Sequence, residues 1–155
     1  MAGGISLIAK PIFDYLIPAA KRHDCGIIAG AGFGMGNKFL VSKRRGELPE
    51  LLDSDDEVLV NTGKKLEKIY DLSDELGMDM FELALRYILA FEDIHTHCAG
   101  AREIAHIKTN LAYAEKGPLD PSIVDRINAI QDEFIIRQDY NMMGLFGKPP
   151  GFLSD

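Results

Sequence analysis

Cys98-Ala99-Gly100-Ala101-Arg102, followed eight residues later by Asn110, has the residue types to hold an anion. An apolar, strand-like run ends there in small residues and passes into a helix. Gly100 and Ala101 let the backbone come close to a ligand, the free N–H groups of a first helical turn point outward, and Arg102 adds a planar cationic fork. Asn110 falls two turns further along the same helix. The pattern outlines a phosphate site; the alternative is a strand-to-helix turn whose Gly and Arg serve structure alone.

A second segment bears on that choice. Cys25-Gly26-Ile27-Ile28-Ala29-Gly30 and then Ala31-Gly32-Phe33-Gly34-Met35-Gly36 is a short apolar run that breaks into alternating glycines, as a buried strand followed by a backbone-lined loop does. It is not the strict dinucleotide fingerprint G-x-G-x-x-G: that spacing would need glycine where Met35 or Asn37 stands, and no Walker lysine follows in register. A turn with close helix packing is the competing reading. His95, His97 and Cys98 invite a metal site, because alternate residues of a strand face the same way. No fourth ligand stands at a recognisable spacing, so packed or hydrogen-bonded imidazoles are expected. Cys25 and Cys98 have no C-x-x-C spacing and are expected as buried free thiols.

The elements that position these residues follow from hydrophobic periodicity. Ile5 to Ala9 reads as a strand closed by Lys10-Pro11, and a helix beginning near Tyr15, with Pro18 in its first turn, runs to His23. Cys25 to Ala29 is a second strand. Residues 37–56 hold Lys43-Arg44-Arg45-Gly46, Pro49 and Asp53-Ser54-Asp55-Asp56, a composition that suits a long exposed loop able to act as a lid. Glu57 to Leu76 keeps helical spacing up to Gly77. Asp79 is an N-cap with Glu82 at the capping-box position and Arg86 four residues beyond; Phe81, Leu83, Ala84, Leu85 and Ile88 make the helix it starts largely buried. Ile94 to Cys98 is a third strand. A helix from Glu103 to Glu115 carries Ile104, Ile107 and Leu111 on one face and stops at Gly117-Pro118, and Asp120-Pro121 opens a last helix with Ile123, Ile127, Ile130 and Phe134. This order gives α/β units on a three-stranded parallel sheet.

At 155 residues, 46% hydrophobic and 26% charged, the chain is expected to be one folded domain. With 24 acidic against 17 basic side chains, its net charge of -7 opposes nonspecific nucleic-acid or anionic-membrane binding. It contains no apolar run of membrane-spanning length, and Met1-Ala2-Gly3-Gly4 has no signal-peptide character, so a cytoplasmic location is expected.

Over about residues 5–130 the chain resembles the C-terminal half of an aldo-keto reductase. Leu16 to Gly36, with Pro18, the apolar strand, Gly30, Phe33 and Gly36, is similar to that family's sixth helix, seventh strand and glycine-bearing loop, closest to the bacterial aldose or fucose dehydrogenase branch. Glu82-Leu83-Ala84-Leu85-Arg86-Tyr87 matches the A-L-R-W/Y helix before the last strand, and Ala99-Gly100-Ala101-Arg102 through Asn110 and Gly117-Pro118-Leu119 resembles the eighth strand and the helix holding the adenosine end of NADP. The resemblance implies an α/β fold: a partial (β/α)8 TIM barrel of about the last three β/α units plus a C-terminal helix, a half-barrel domain over 1–136 and an irregular tail over 137–155. It implies an oxidoreductase that keeps the NAD(P)-binding half, with Gly30, Gly32, Phe33 and Gly34 on the pyrophosphate side, Lys43 to Arg45 closing over it, and Gly100, Ala101, Arg102, His106 and Asn110 at the adenosine end. NADP is the implied cofactor and NAD the alternative, because His106 stands where Gln or Arg commonly helps hold the nucleotide, and Ala31-Gly32 replaces the branch's Gly-Pro. The family's catalytic Asp, Tyr, Lys and His come from earlier strands that this chain does not match. Tyr15, Tyr70, Tyr87, Tyr113 and Tyr140 sit in helical or tail contexts, so no catalytic residue is assigned and the chain alone is expected to be inactive. An N-terminal barrel half or a second copy is expected to cover the open sheet edge. The competing reading is a non-enzymatic homo-oligomeric scaffold.

Overall fold

The computed structural model describes residues 5–14, 16–30, 46 and 48–134. The loop residues Gly32, Phe33 and Gly34, the Lys43 to Arg45 run and the tail lie outside them. Six α-helices and two short strands are described: α1 Leu16–Arg22, β1 Ile28–Gly30, α2 Leu48–Leu52, α3 Glu57–Leu76, α4 Met80–Leu89, β2 Thr96–Cys98, α5 Ile104–Glu115 and α6 Pro121–Glu133, with a 3-10 turn at Pro11–Phe13.

The expected strand over Ile5 to Ala9 does not form. The segment bends instead, with Ser6 N–H donating to Ala9 O at 2.8 Å. Its carbonyls are taken by side chains from distant helices: Lys65 Nζ donates to Ile8 O at 3.2 Å, and Gln131 Nε2 to Ser6 O at 3.0 Å and Leu7 O at 3.1 Å. Ile5, Leu7 and Ile8 are buried. A continuous apolar run says that a segment is enclosed, not that its backbone is in a ladder. Among the described residues the sheet is therefore two-stranded rather than three. β1 and β2 are parallel, in register Ile28↔Thr96, Ala29↔His97 and Gly30↔Cys98, with α2, α3 and α4 in the crossover.

α1 tolerates Pro18 because it is the third helical residue, where a backbone N–H has no intrahelical acceptor. The helix stops with Asp24 at φ 50 and Cys25 N–H returning to Ala20 O at 2.9 Å. α2 is a correction to the exposed loop expected over 37–56: Leu48 and Leu51 join the core. Its approach to α3 is so close that a Cβ on Gly63 would lie 3.0 Å from Leu52 Cδ2 and 3.1 Å from Leu51 Cβ. α3 spans the expected residues and ends at Gly77, φ 61, with Met78 N–H on Ser73 O at 3.1 Å. α6 starts on its Asp120 cap, which accepts the Ser122 N–H at 2.9 Å, and buries Val124, Ile127 and Gln131.

The core gathers Leu66, Ile69 and Leu72 of α3, Leu83, Tyr87 and Ile88 of α4 and Ile127 of α6 around residues 5–12. No helix among the described residues is long and apolar enough to cross a membrane.

Candidate functional site

Parallel pairing sets the ends of β1 and β2 side by side, so Gly30 lies opposite Cys98 and the chain leaving each strand departs from the same sheet edge. The C-terminal edge of a parallel sheet is where loops and helix N-termini converge on ligands. Gly30 is buried there. From Cys98 the chain turns through Gly100 into α5, whose N-cap, Glu103, is extended at φ -136 and ψ 156 and makes no side-chain capping bond.

Two α5 side chains hold that turn. His106 Nδ1 accepts the Arg102 N–H at 3.4 Å, reaching back from the third helical residue as a capping-box glutamate does. One turn on, Asn110 Nδ2 donates to Gly100 O at 3.5 Å. Gly100 has neither a positive φ nor a packing reason to lack a side chain, since a Cβ there would meet no atom within 4 Å. The bare α-carbon faces open space. Among the described residues the Arg102 guanidinium has no ion-pair partner and stands exposed beside the first turn of α5.

Gly100, His106 and Asn110 line one cleft of about 170 Å3 together with Phe81, Thr109 and Tyr113. Sequence reasoning selected the first three and missed the others. Thr109 and Tyr113 follow His106 by three and seven positions on one helix, a same-face spacing that could have found them. Phe81, expected within the buried circumference of α4, is exposed and walls the cleft. Tyr113 donates its phenol to Asp79 Oδ2, and that bond, with burial, pushes its pKa up to about 12. Asp79 Oδ1 meanwhile accepts the N–H groups of Phe81 at 2.8 Å and Glu82 at 2.9 Å, so one carboxylate both caps α4 and anchors α5.

Ala101 lies outside this cleft. It borders a broader groove of about 410 Å3 between α4, β2 and α5, with His95, His97, Ile107 and Leu111. His95 Nδ1 accepts the Ile27 N–H at 3.1 Å, the hydrogen-bonded role expected for it. Burial lowers the pKa of His97. Cys25 and Cys98 are exposed free thiols rather than buried ones: Cys25 lies ahead of β1, and Cys98 is the last residue of β2, where the chain leaves the sheet.

Glu82 does not close a capping box. Its side chain, 8% exposed, takes Arg86 Nη1 at 3.0 Å and Lys116 Nζ at 2.7 Å. Arg86 also donates Nε to Gly117 O at 3.0 Å and Nη2 to Pro118 O at 3.3 Å, while Tyr87 donates to Asn128 Oδ1 at 2.7 Å. The Glu82 to Tyr87 motif is thus a fastener joining α4 to the end of α5, the turn after it and α6.

A model of the aldo/keto reductase family matches residues 14–132, well over half of the chain. Comparison with curated protein sequences finds no match. The chain belongs to the aldo/keto reductase family, a family of (β/α)8-barrel oxidoreductases that use NAD(P)H.

Proposed function

From that membership we propose that the chain is the C-terminal, nucleotide-holding part of an aldo-keto reductase barrel, of the aldose or fucose dehydrogenase type, and that its cleft receives the adenosine end of NADP. The observation that carries this reading is the convergence of Gly100, His106 and Asn110 on one cleft beside an exposed Arg102 that has no ion-pair partner among the described residues, at a helix start whose N-cap side chain makes no capping bond. The residues fit the group. Bare Gly100 leaves room at the turn, Phe81 and Tyr113 offer aromatic walls to a flat base, and Arg102 with the first-turn N–H groups offers charge-assisted donors to a phosphate. When bound, the nicotinamide nucleotide supplies or accepts the hydride. The chain's own part is to bind and orient it, with Gly30, Gly32, Phe33 and Gly34 assigned to the pyrophosphate. Tyr113 is no acid for the reaction, since its proton is held by Asp79. The acid and base belong to barrel segments that the chain does not match, and so the chain alone is silent with aldoses and aldehydes.

Titration calorimetry tests the reading. Arg102→Ala is expected to weaken NADP about tenfold or more while leaving NAD nearly unchanged, the loss of one charge-assisted contact to the 2′-phosphate. Equal losses for both nucleotides would make Arg102 a structural residue. No binding of either would favour the second reading, a homo-oligomeric scaffold, for which the exposed Ile104, Ile107 and Leu111 stripe of α5 is the supporting observation.

A further inference from the structure

α5 is rich in apolar residues, yet none of its residues is buried, and Ile104, Ile107 and Leu111 are each more than half exposed. They are not scattered. Ile104, Ile107, Leu111 and Ala114 follow one another at spacings of three, four and three, the a and d positions of two heptads, and so form one narrow seam along the helix. His106, Thr109 and Tyr113, which line the cleft, fall on the opposite side. A heptad seam packs against a second helix that carries a seam of its own. Among the described residues no helix presents one to it, since α4 meets α5 along the other side, through Asp79 to Tyr113 and Glu82 to Lys116.

The charges beside the seam identify the missing helix. Lys108 and Glu115 directly follow Ile107 and Ala114, at the two e positions on one flank; both are exposed, and neither has an ion-pair partner among the described residues. Two copies of α5 laid antiparallel about a two-fold axis match at every seam layer, Ile104 against the partner's Ala114 and Ile107 against the partner's Leu111, each contact made twice. The same axis brings like flanks together. Helical side chains lean towards the N-terminus of their own helix, so in this arrangement Lys108 and the partner's Glu115 lean towards each other, whereas the two Lys108 side chains lean apart. In a parallel pair Glu115 would face the partner's uncharged Asn110, and the two helix dipoles would repel.

We infer that α5 is a self-association face: a second copy of this chain docks on it antiparallel, through Ile104, Ile107, Leu111 and Ala114, with Lys108 and Glu115 setting the orientation. Self-association holds with either reading of the function, because seam and cleft lie on opposite sides of α5. A helix of twelve residues is about 18 Å long, and one face of it covers well under the roughly 800 Å2 that each partner buries in a standard interface. The dimer is therefore weak, and in the dilute solutions used for unfolding the chain is monomeric.

Sedimentation equilibrium of the full chain from about 10 to about 500 μM reads the association, and wild type is expected to pass from monomer towards dimer with a Kd of about 100 μM. Leu111→Lys is expected to abolish it. Lys108→Glu and Glu115→Lys are each expected to weaken it about five- to tenfold, and the double exchange to return it to within about twofold of wild type. A chain that stays monomeric throughout, an association that Leu111→Lys leaves intact, or a double exchange no tighter than the single ones would each overturn the inference. No nucleotide enters these measurements, so failure of the chain to bind NADP would overturn the nucleotide reading and leave self-association standing.

Discussion

Two neighbouring helices, α4 and α5, carry apolar residues at similar helical spacing and come to rest in opposite surroundings. α4 buries Met80, Leu83, Ala84, Leu85, Tyr87 and Ile88, and α5 buries none of its residues. The polar groups that α4 takes inside are matched, Glu82 by two cations and Tyr87 by Asn128. α5 leans on α4 along one edge, through Tyr113 to Asp79 and Lys116 to Glu82, and leaves Ile104 74%, Ile107 51% and Leu111 60% exposed. Periodicity thus announces an apolar face without saying what fills the space opposite. For α4 that space holds α3, α6 and residues 5–12; for α5 no described residue fills it.

The contrast has measurable edges. Leu83→Ala is expected to cost about 3 kcal/mol in urea unfolding, the loss of a side chain from a filled core, whereas Leu111→Ala is expected to stay within about 0.5 kcal/mol. Comparable costs would erase the difference and show that the α5 stripe is covered in solution; sedimentation of Leu111→Lys against wild type would then reveal whether a second copy covers it. Glu82→Ala comes next, at about 2 kcal/mol, because it strips Arg86 of its buried partner, while Lys116→Ala, removing a half-exposed partner of the same carboxylate, is expected to cost under about 1 kcal/mol. A reversed order would place the weight of that network on α5 rather than α4. The smallest effect is one of pH. Burial lowers the folded-state pKa of His97, while the unfolded chain takes up this proton near about pH 6.5. Between the two values the unfolded state binds more protons, so stability falls as pH is lowered through that window. The pH profiles of thermal unfolding for wild type and His97→Gln should run parallel above about pH 6.5 and diverge below it, with the wild type losing more. Profiles that stay parallel in acid would remove His97 from the account.

Legibility in the sequence followed the same division. Helices with strong local punctuation were plain: Gly77 ending α3, Asp79 opening α4 and Asp120-Pro121 opening α6 each act through their own backbone geometry, which neighbouring residues suffice to set. Ile5 to Ala9 was misread because side chains from α3 and α6, far along the chain, took the carbonyls that a strand would have paired. Leu48 to Leu52 was hidden by Pro49 inside it and by the charges around it. At the candidate site, Gly100 was legible as the small-residue turn and Asn110 as a position two turns along the helix it opens, and His106 came from the family resemblance; Phe81 was not legible, because its place on the cleft depends on how α4 and α5 pack rather than on either helix alone.

The hydrogen bond from Gln131 to Ser6 O joins residues 125 positions apart. On a translating ribosome, residues 5–8 leave the exit tunnel long before α6 has been made. Until Gln131 emerges, those carbonyls stay wet and Ile5, Leu7 and Ile8 lack the wall that α6 supplies. The nascent chain is then most open to chaperones and proteases, and an arrested product ending before α6 should be cleared by the cell rather than accumulate.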